Sequence, residues 1–283
     1  MLVPLELEAA RRCGCGFSVF ESFEKEGEAR VLRLRVQFEV ERVPLLYRNC
    51  FMSFFKEALR SSSSGENRYR RLFHYDDRRN NKAPKPFCFA VRFLCRPEDF
   101  RKDDGWLTLR SPLALYFSTS DPGLLIDFYN GVVNRDLYPF VKGEFTLPYP
   151  KSVMPLREKP ITGDEVHFRT LSPILIEDAS GKPLLPDSPG FLRELNYQTD
   201  ALLWGVRGRG LHRELAFKPL AIRKEVVKHA VRERNETSRV YTFTCFSGHF
   251  LLQGDPEDLR DIQVLGLGRR RSQGFGMVEV VEG

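Results

Sequence analysis

The chain is 283 residues long, enough for one large domain or two of ordinary size. Its 42% apolar content allows packed cores, and a formal charge of +6 favours a polyanionic partner such as nucleic acid. No continuous apolar run approaches the length that spans a bilayer, and Met1–Glu6 lacks the basic and apolar regions of a secretory signal, so a cytoplasmic protein without membrane association is expected.

Residues 31–41 alternate with period two: Leu32, Leu34, Val36, Phe38 and Val40 face one way, Arg33, Arg35, Gln37, Glu39 and Glu41 the other. That is the pattern of a half-buried strand. After Pro44, the residues Phe51, Phe54, Phe55, Ala58 and Leu59 recur at helical spacing, and the helix ends at Arg60 before a run of serines. The polar, basic stretch 61–86 reads as a loop holding a short helix. Strand character returns over Phe87–Phe93 and Trp106–Phe117. Asp121-Pro122-Gly123 begins a helix whose apolar stripe is Leu124, Leu125, Phe128 and Val132.

From about residue 161 the same order repeats. A strand runs through Val166–Leu171, and Ser188-Pro189 begins a helix through Phe191, Leu195 and Leu202. Strands follow at 214–227 and 238–252, Asp255-Pro256-Glu257 starts a last helix, and a glycine-rich loop leads into a final strand. Two strand-helix-strand-strand-helix-strand halves predict an α+β protein of two tandem ferredoxin-like (RRM-like) domains, each an antiparallel sheet with helices on one face. The expected division is an N-terminal extension over 1–30, a first domain over 31–147, a proline-rich linker over 148–160 and a second domain over 161–283.

Six cysteines stand at 13, 15, 50, 88, 95 and 245. Only Cys13 and Cys15 form a tight pair, and no second pair with zinc-site spacing accompanies it. Asp76 and Asp77 are two adjacent acids, too few to specify a divalent site. No metal and no cofactor are expected.

The most distinctive stretch is Gly266-Leu267-Gly268-Arg269-Arg270-Arg271-Ser272-Gln273-Gly274-Phe275-Gly276. Glycine permits tight turns and close approach of another polymer. Successive backbone N–H groups can cradle an anion, and arginine forks match phosphate geometry. The bland alternative is a surface turn, which three adjacent arginines exceed. There is no Gly-Lys-Ser/Thr ending, and the loop precedes a strand, so it is not a common nucleotide-binding loop.

This loop, with the Met277–Val280 strand that follows, resembles the signature loop of the repeat-associated RNA-binding (RAMP) proteins of CRISPR systems, and among them the endoribonucleases that mature CRISPR RNA. Three further stretches agree: Pro44–Leu59 with the family's first helix, Phe73-His74 followed by Lys85–Phe89, and Thr170–Ile174 with the second domain's opening strand. Together they cover about residues 31–283.

The resemblance implies binding of CRISPR repeat RNA and metal-independent cleavage, in which a ribose 2′-hydroxyl attacks the adjacent phosphate. The products would carry a 2′,3′-cyclic phosphate and a 5′-hydroxyl. It implies catalytic roles for His74 and Lys85, with Lys82 near enough in the sequence to take the place of Lys85. At the position where the family often places a tyrosine stands Lys56, which either stabilises the phosphorane or is an ordinary exposed lysine. Gly266, Gly268, Arg269, Arg270, Arg271, Ser272, Gly274 and Gly276 would hold RNA, the arginines on phosphate rather than on bases.

His74 also stands in the most basic stretch of the chain, among Arg68, Arg70, Arg71, Arg78, Arg79, Lys82 and Lys85, where the plain alternative is a solvated histidine. Basic residues of the second domain, including Arg223, Lys224, Lys228, Arg232 and Arg234, are candidates to grip an RNA stem. Two other readings stay open: a non-catalytic RNA-holding subunit of a CRISPR effector complex, and an RNA-binding protein of another kind. The resemblance also leaves effector-subunit partners and a homodimer open.

Overall fold

The computed structural model describes residues 32–62, 64–73, 83–94, 101–109, 112–134, 138–141, 145–232 and 238–281. The first half contains β1 (Arg33–Phe38), α1 (Tyr47–Ser61), α2 (Gly65–Phe73), β2 (Phe87–Phe93), β3 (Leu113–Thr119), α3 (Pro122–Val133) and β4 (Ser152–Leu156). Its sheet runs β2-β3-β1-β4, antiparallel throughout. The period-two pattern of β1 places Leu34, Val36 and Phe38 in the core. There they meet the apolar stripes of α1 and α3, with Phe55 stacked on Phe117 at 4.9 Å and Phe117 against Phe128 at 4.5 Å. No side chain caps the start of α1, so this buried aromatic face holds the helix. By contrast α3 starts on Asp121, whose Oδ1 accepts from the Leu124 N–H at 3.1 Å, with Pro122 at its first turn.

The second half repeats the plan with β5 (Glu165–Thr170), α4 (Phe191–Arg207), β6 (Ala216–Arg232), β7 (Ser238–Gln253), α5 (Pro256–Leu265) and β8 (Val278–Val280). The order β6-β7-β5-β8 is the same order as in the first sheet. Both halves are therefore ferredoxin-like, as the element pattern predicts.

Three local expectations need correction. Residues 148–160 are not simply a linker, because Ser152–Leu156 pairs with Arg33–Gln37 as the fourth strand of the first sheet. A proline at 155 hides that strand from a pattern search, yet an edge strand tolerates it. The helix expected from Ser188-Pro189 begins at Phe191, after Gly190 has turned the chain at φ 84°. The strand expected over Trp106–Phe117 is two strands. Trp106–Thr108 pairs with Arg42–Pro44 and Arg101–Asp103, and only Leu113–Thr119 joins the main sheet.

β6 and β7 are 17 and 16 residues long, beyond the usual strand length, and pair from Ala216↔Gln253 out to Arg232↔Ser238. β5 pairs only with His249–Gln253 of this ribbon, so the rest extends past the sheet. It reaches the first domain, where the Asn49 side-chain amide donates to Ala230 O at 2.8 Å.

The two domains are joined at the C-terminal end of α5. The last carbonyls of a helix have no partner within it. Here Arg33 donates to Gln263 O at 2.8 Å, Ser118 Oγ to Val264 O at 2.5 Å and Arg271 to Leu265 O at 2.8 Å. Arg33, itself buried, also pairs with Glu158 at 2.7 Å. Beside these bonds Cys88 and Ala90 of β2 pack on Leu171 and Met277.

Candidate nucleic-acid interface

The glycine-rich loop begins where α5 ends, and its backbone folds back onto the protein. Leu267 N–H donates to Gly276 O, Gly276 N–H to Pro173 O and Arg269 N–H to Leu175 O, each at 2.8 Å. Arg271–Gln273 form a single 3₁₀ turn between Arg270 at φ 58° and Gly274 at φ 88°. A side chain on Gly276, at φ 72°, would lie 2.0 Å from Leu267 O. One on Gly266 would lie 2.5 Å from Gly276 O. The sequence pattern suggests that the glycines make room for another polymer. At these positions the close approach is to the protein's own backbone.

The three arginines have different surroundings. Arg269 is exposed, with Glu177 at 3.8 Å. Arg270 lies over the Phe243 ring at 4.4 Å and donates to Gln273 Oε1 at 3.0 Å. Burial holds its pKa below the usual arginine value. Arg271 points inward and is 8% exposed. Its guanidinium donates to Leu265 O and, at 3.4 Å, to Lys85 O, and burial pushes its pKa down to about 10. The phosphate role expected of Arg271 is therefore not what its side chain does here. It caps α5 and ties the loop to the first domain, a placement that suits a cation at a helix C-terminus. Ser272 is half-buried on the same turn.

A cationic and aromatic layer continues from the loop onto the β6–β7 ribbon and α1. Arg48 lies over Phe275 at 5.2 Å and over Tyr47 at 4.8 Å, and donates to Gly274 O at 3.3 Å. Tyr241, 40% exposed, stacks along Phe243 at 6.3 Å. Exposed Lys224 and Lys228 stand on the opposite face of the same ribbon from Phe243 and Tyr241, while Arg223 pairs with Glu225 at 2.9 Å. Arg234 and the side chain of Arg232 lie outside the described residues. Rings beside arginines form surfaces on which bases stack and phosphates are held.

His229 is buried in this layer, 5.7 Å from the Phe275 ring and 6.4 Å from Phe243. Burial first, then Arg48 and Arg270, push its pKa down to about 4 from 6.5. Below pH 6.5 the unfolded chain takes up a proton that the folded chain refuses until about pH 4, so stability falls as pH drops through that window. From pH 7 to pH 5 this one group should cost about 2 kcal/mol. Urea unfolding of the wild type and His229→Leu at both pH values tests it. Equal losses in the two proteins would refute the assignment.

Two of the candidate catalytic residues, Lys56 and Lys85, meet at the end of α2. Phe73, its last residue, packs on Phe55, Tyr69 and Phe87 at 6.0, 5.5 and 6.3 Å. Over its ring stand Lys85 Nζ at 3.9 Å and Lys56 Nζ at 5.0 Å. Burial, with Lys56 adding repulsion, pushes the Lys85 pKa down to about 8. An amine in that range can serve as a cation or a proton donor near neutral pH. His74, Asp76, Asp77 and residues 1–30 lie outside the described residues. Thus Lys56 and Lys85, expected at one site, do come together, on the ring of the residue before His74. The bond from Arg271 to Lys85 O makes the glycine-rich loop their neighbour. Sequence reading quotes Phe73 only as the neighbour of His74 and assigns no part to it or to Arg48. The available signal was an aromatic side chain beside the singled-out histidine and an arginine one turn before the first helix's apolar stripe.

Among the described residues, His212, Asp255 and Glu257 bring three candidate metal-ligand atoms within 4.8 Å of one another. The group is already engaged: Arg209 pairs with Glu257, and His212 Nδ1 and Arg207 meet Asp258 at 2.7 and 2.5 Å. No helix among the described residues is long and apolar enough to cross a membrane.

Residues 156–280 match the family model described as CRISPR associated protein Cas6, C-terminal. No curated protein sequence matches the chain. Among solved structures, the chain is similar to a RAMP protein described as binding different RNA substrates, with 20% identity and a TM-score of 0.68, covering 89% of this chain and 100% of that one. It is similar to the product of a Cas6-related gene from Pyrococcus furiosus, with 18% identity and a TM-score of 0.70, covering 89% and 98%. A third is a Cas6 product complex, with 17% identity and a TM-score of 0.56, covering 88% and 99%. At such identities these likenesses establish the shared tandem fold.

Proposed function

We propose that this chain, whose residues 156–280 match the model of the Cas6 C-terminal domain, is an endoribonuclease that cuts precursor CRISPR RNA within its repeats. The observation that supports this most is the meeting of Lys56 and Lys85 on Phe73, one peptide bond from His74 and joined to the glycine-rich loop through Arg271. RNA laid along the loop and the aromatic layer would bring its backbone toward that cluster.

The proposed reaction uses these side chains alone. The 2′-hydroxyl loses its proton and its oxygen bonds to phosphorus. The bond from phosphorus to the 5′ oxygen breaks, and that oxygen takes a proton. The products are a 2′,3′-cyclic phosphate and a 5′-hydroxyl. His74 would move one of the two protons, as an imidazole can near neutral pH. Lys85, with a pKa of about 8, is protonated roughly ten to one at pH 7. In that form it would stabilise the dianionic phosphorane, with Lys56 beside it.

A lysine at 56, where the family often has a tyrosine, favours a second reading in which the protein holds CRISPR RNA without cutting it. One assay separates the two: purified protein, labelled repeat RNA and EDTA, with a parallel RNA carrying a 2′-deoxy sugar at the cut site. The nuclease reading expects cleavage in EDTA that the deoxy sugar blocks. Cleavage that survives the deoxy sugar, or that requires added divalent ion, would overturn the mechanism. Tight binding of an RNA that stays intact would favour the holding reading.

A further inference from the structure

Two ammonium groups share one aromatic ring at the end of α2, and the packing of that half-buried ring against the core fixes where they stand. Like charges this close repel, and long lysine side chains would ordinarily separate into solvent. Here Lys85 Nζ lies 3.9 Å and Lys56 Nζ 5.0 Å from the centroid of Phe73. The π face attracts each cation. Phe55, Tyr69 and Phe87 pack against the ring and restrain it, and Phe55 and Phe87 belong to the core of the first domain.

Resting on the nuclease reading above, we propose that Phe73 is a positioning residue, which holds the Lys56 and Lys85 ammonium groups together as one electrostatic site for the reacting phosphate. The three side chains come from different elements: Lys56 from α1, Phe73 from the end of α2, and Lys85 from the segment leading into β2. The ring is their common platform. Arg271 steadies the same segment from the opposite domain through its bond to Lys85 O. Among the described residues, the charges bearing on this lysine thus include Lys56 on the ring and Arg271 behind the backbone.

The ring has two effects on Lys85, and they oppose each other. Its π face favours the cation, whereas the water it excludes disfavours it. Burial is the larger, since the amine sits near 8 rather than at its ordinary 10.5. The two effects can be separated by substitution. Phe73→Ala admits water and should move Lys85 up toward 10.5. Phe73→Leu keeps an apolar cover without a π face and should leave Lys85 at or below its present value. Phe73→Tyr keeps the ring and should behave as the wild type.

The test measures the Lys85 amine directly, by NMR titration of ¹³C-methylated protein with Lys85→Arg to assign the signal, and measures single-turnover cleavage and RNA affinity separately. The expected result for Phe73→Ala is an upward-shifted Lys85, a roughly ten- to hundredfold slower cleavage step and unchanged affinity, with recovery in Phe73→Tyr. A Lys85 that titrates alike in the wild type, Phe73→Ala and Phe73→Leu would overturn the proposal. So would cleavage rates that do not respond while the titration does. Should the wild type itself not cleave, a Lys85 that still shifts in Phe73→Ala would leave the lysine platform standing and sink the nuclease reading instead.

Discussion

Replacing His74 with alanine should slow cleavage of repeat RNA by about 10²–10⁴-fold while leaving the affinity for that RNA unchanged. The size follows from the chemistry proposed for the site. Cleavage needs one proton removed and one delivered, and a positioned imidazole lowers the barrier for such a transfer by that factor. The lysines cannot fully replace it. Lys56 and Lys85 share one ring and are suited to hold negative charge, and Lys85 near pKa 8 is mostly a cation at pH 7. A variant with both His74→Ala and Lys85→Ala should lose less than the product of the single losses, because residues that act as a unit fail together. The measurement is the single-turnover rate with saturating enzyme, beside an equilibrium binding curve. Equal rates for the wild type and His74→Ala would remove His74 from the mechanism. A parallel loss of affinity would make it a binding residue.

How much of this is legible in the sequence depends on how far apart the interacting residues lie. The alternation in Arg33–Phe38 and the caps Asp121-Pro122 and Asp255-Pro256 act within a few residues, and each lies where the pattern places it. Ser152–Leu156 reads as a connection because the prolines in and around it break local pattern, and only its pairing with β1 makes it a strand. The partners of Arg271 are Leu265, six residues away, and Lys85, 186 residues away. No spacing rule distinguishes that arginine from its exposed neighbour Arg269. Phe73 is hidden for a related reason: an aromatic residue at a helix end is ordinary core material until two lysines from elsewhere are set over it. The long β6–β7 ribbon is half legible, since the first strand is read only to residue 227 and its outer pairing depends on the partner strand.

The glycine-rich loop carries the second large effect, and here the structure and the sequence pattern point to different quantities. If Gly276 existed only to let RNA approach, Gly276→Ala would weaken RNA binding and leave the fold alone. Its surroundings argue otherwise. An alanine Cβ would lie 2.0 Å from Leu267 O, a backbone atom, and the residue would keep a left-handed φ of 72°. The same turn holds the Leu267 N–H to Gly276 O and Gly276 N–H to Pro173 O bonds, so relief of the clash breaks them. The expected loss of stability is about 3 kcal/mol or more, the sum of left-handed strain and a displaced backbone. Gly208 provides the control. It has φ 79°, but a Cβ added there would meet no atom within 4 Å, so Gly208→Ala should cost only about 1 kcal/mol of conformational strain. Urea unfolding of the two variants compares the packing term with the backbone term in one protein. A Gly276→Ala variant as stable as Gly208→Ala but unable to bind repeat RNA would return the glycine to the role its sequence suggests. A large loss of stability would mean that RNA meets a loop already locked in shape by α5, Pro173 and the first domain, with little ordering left to do on binding.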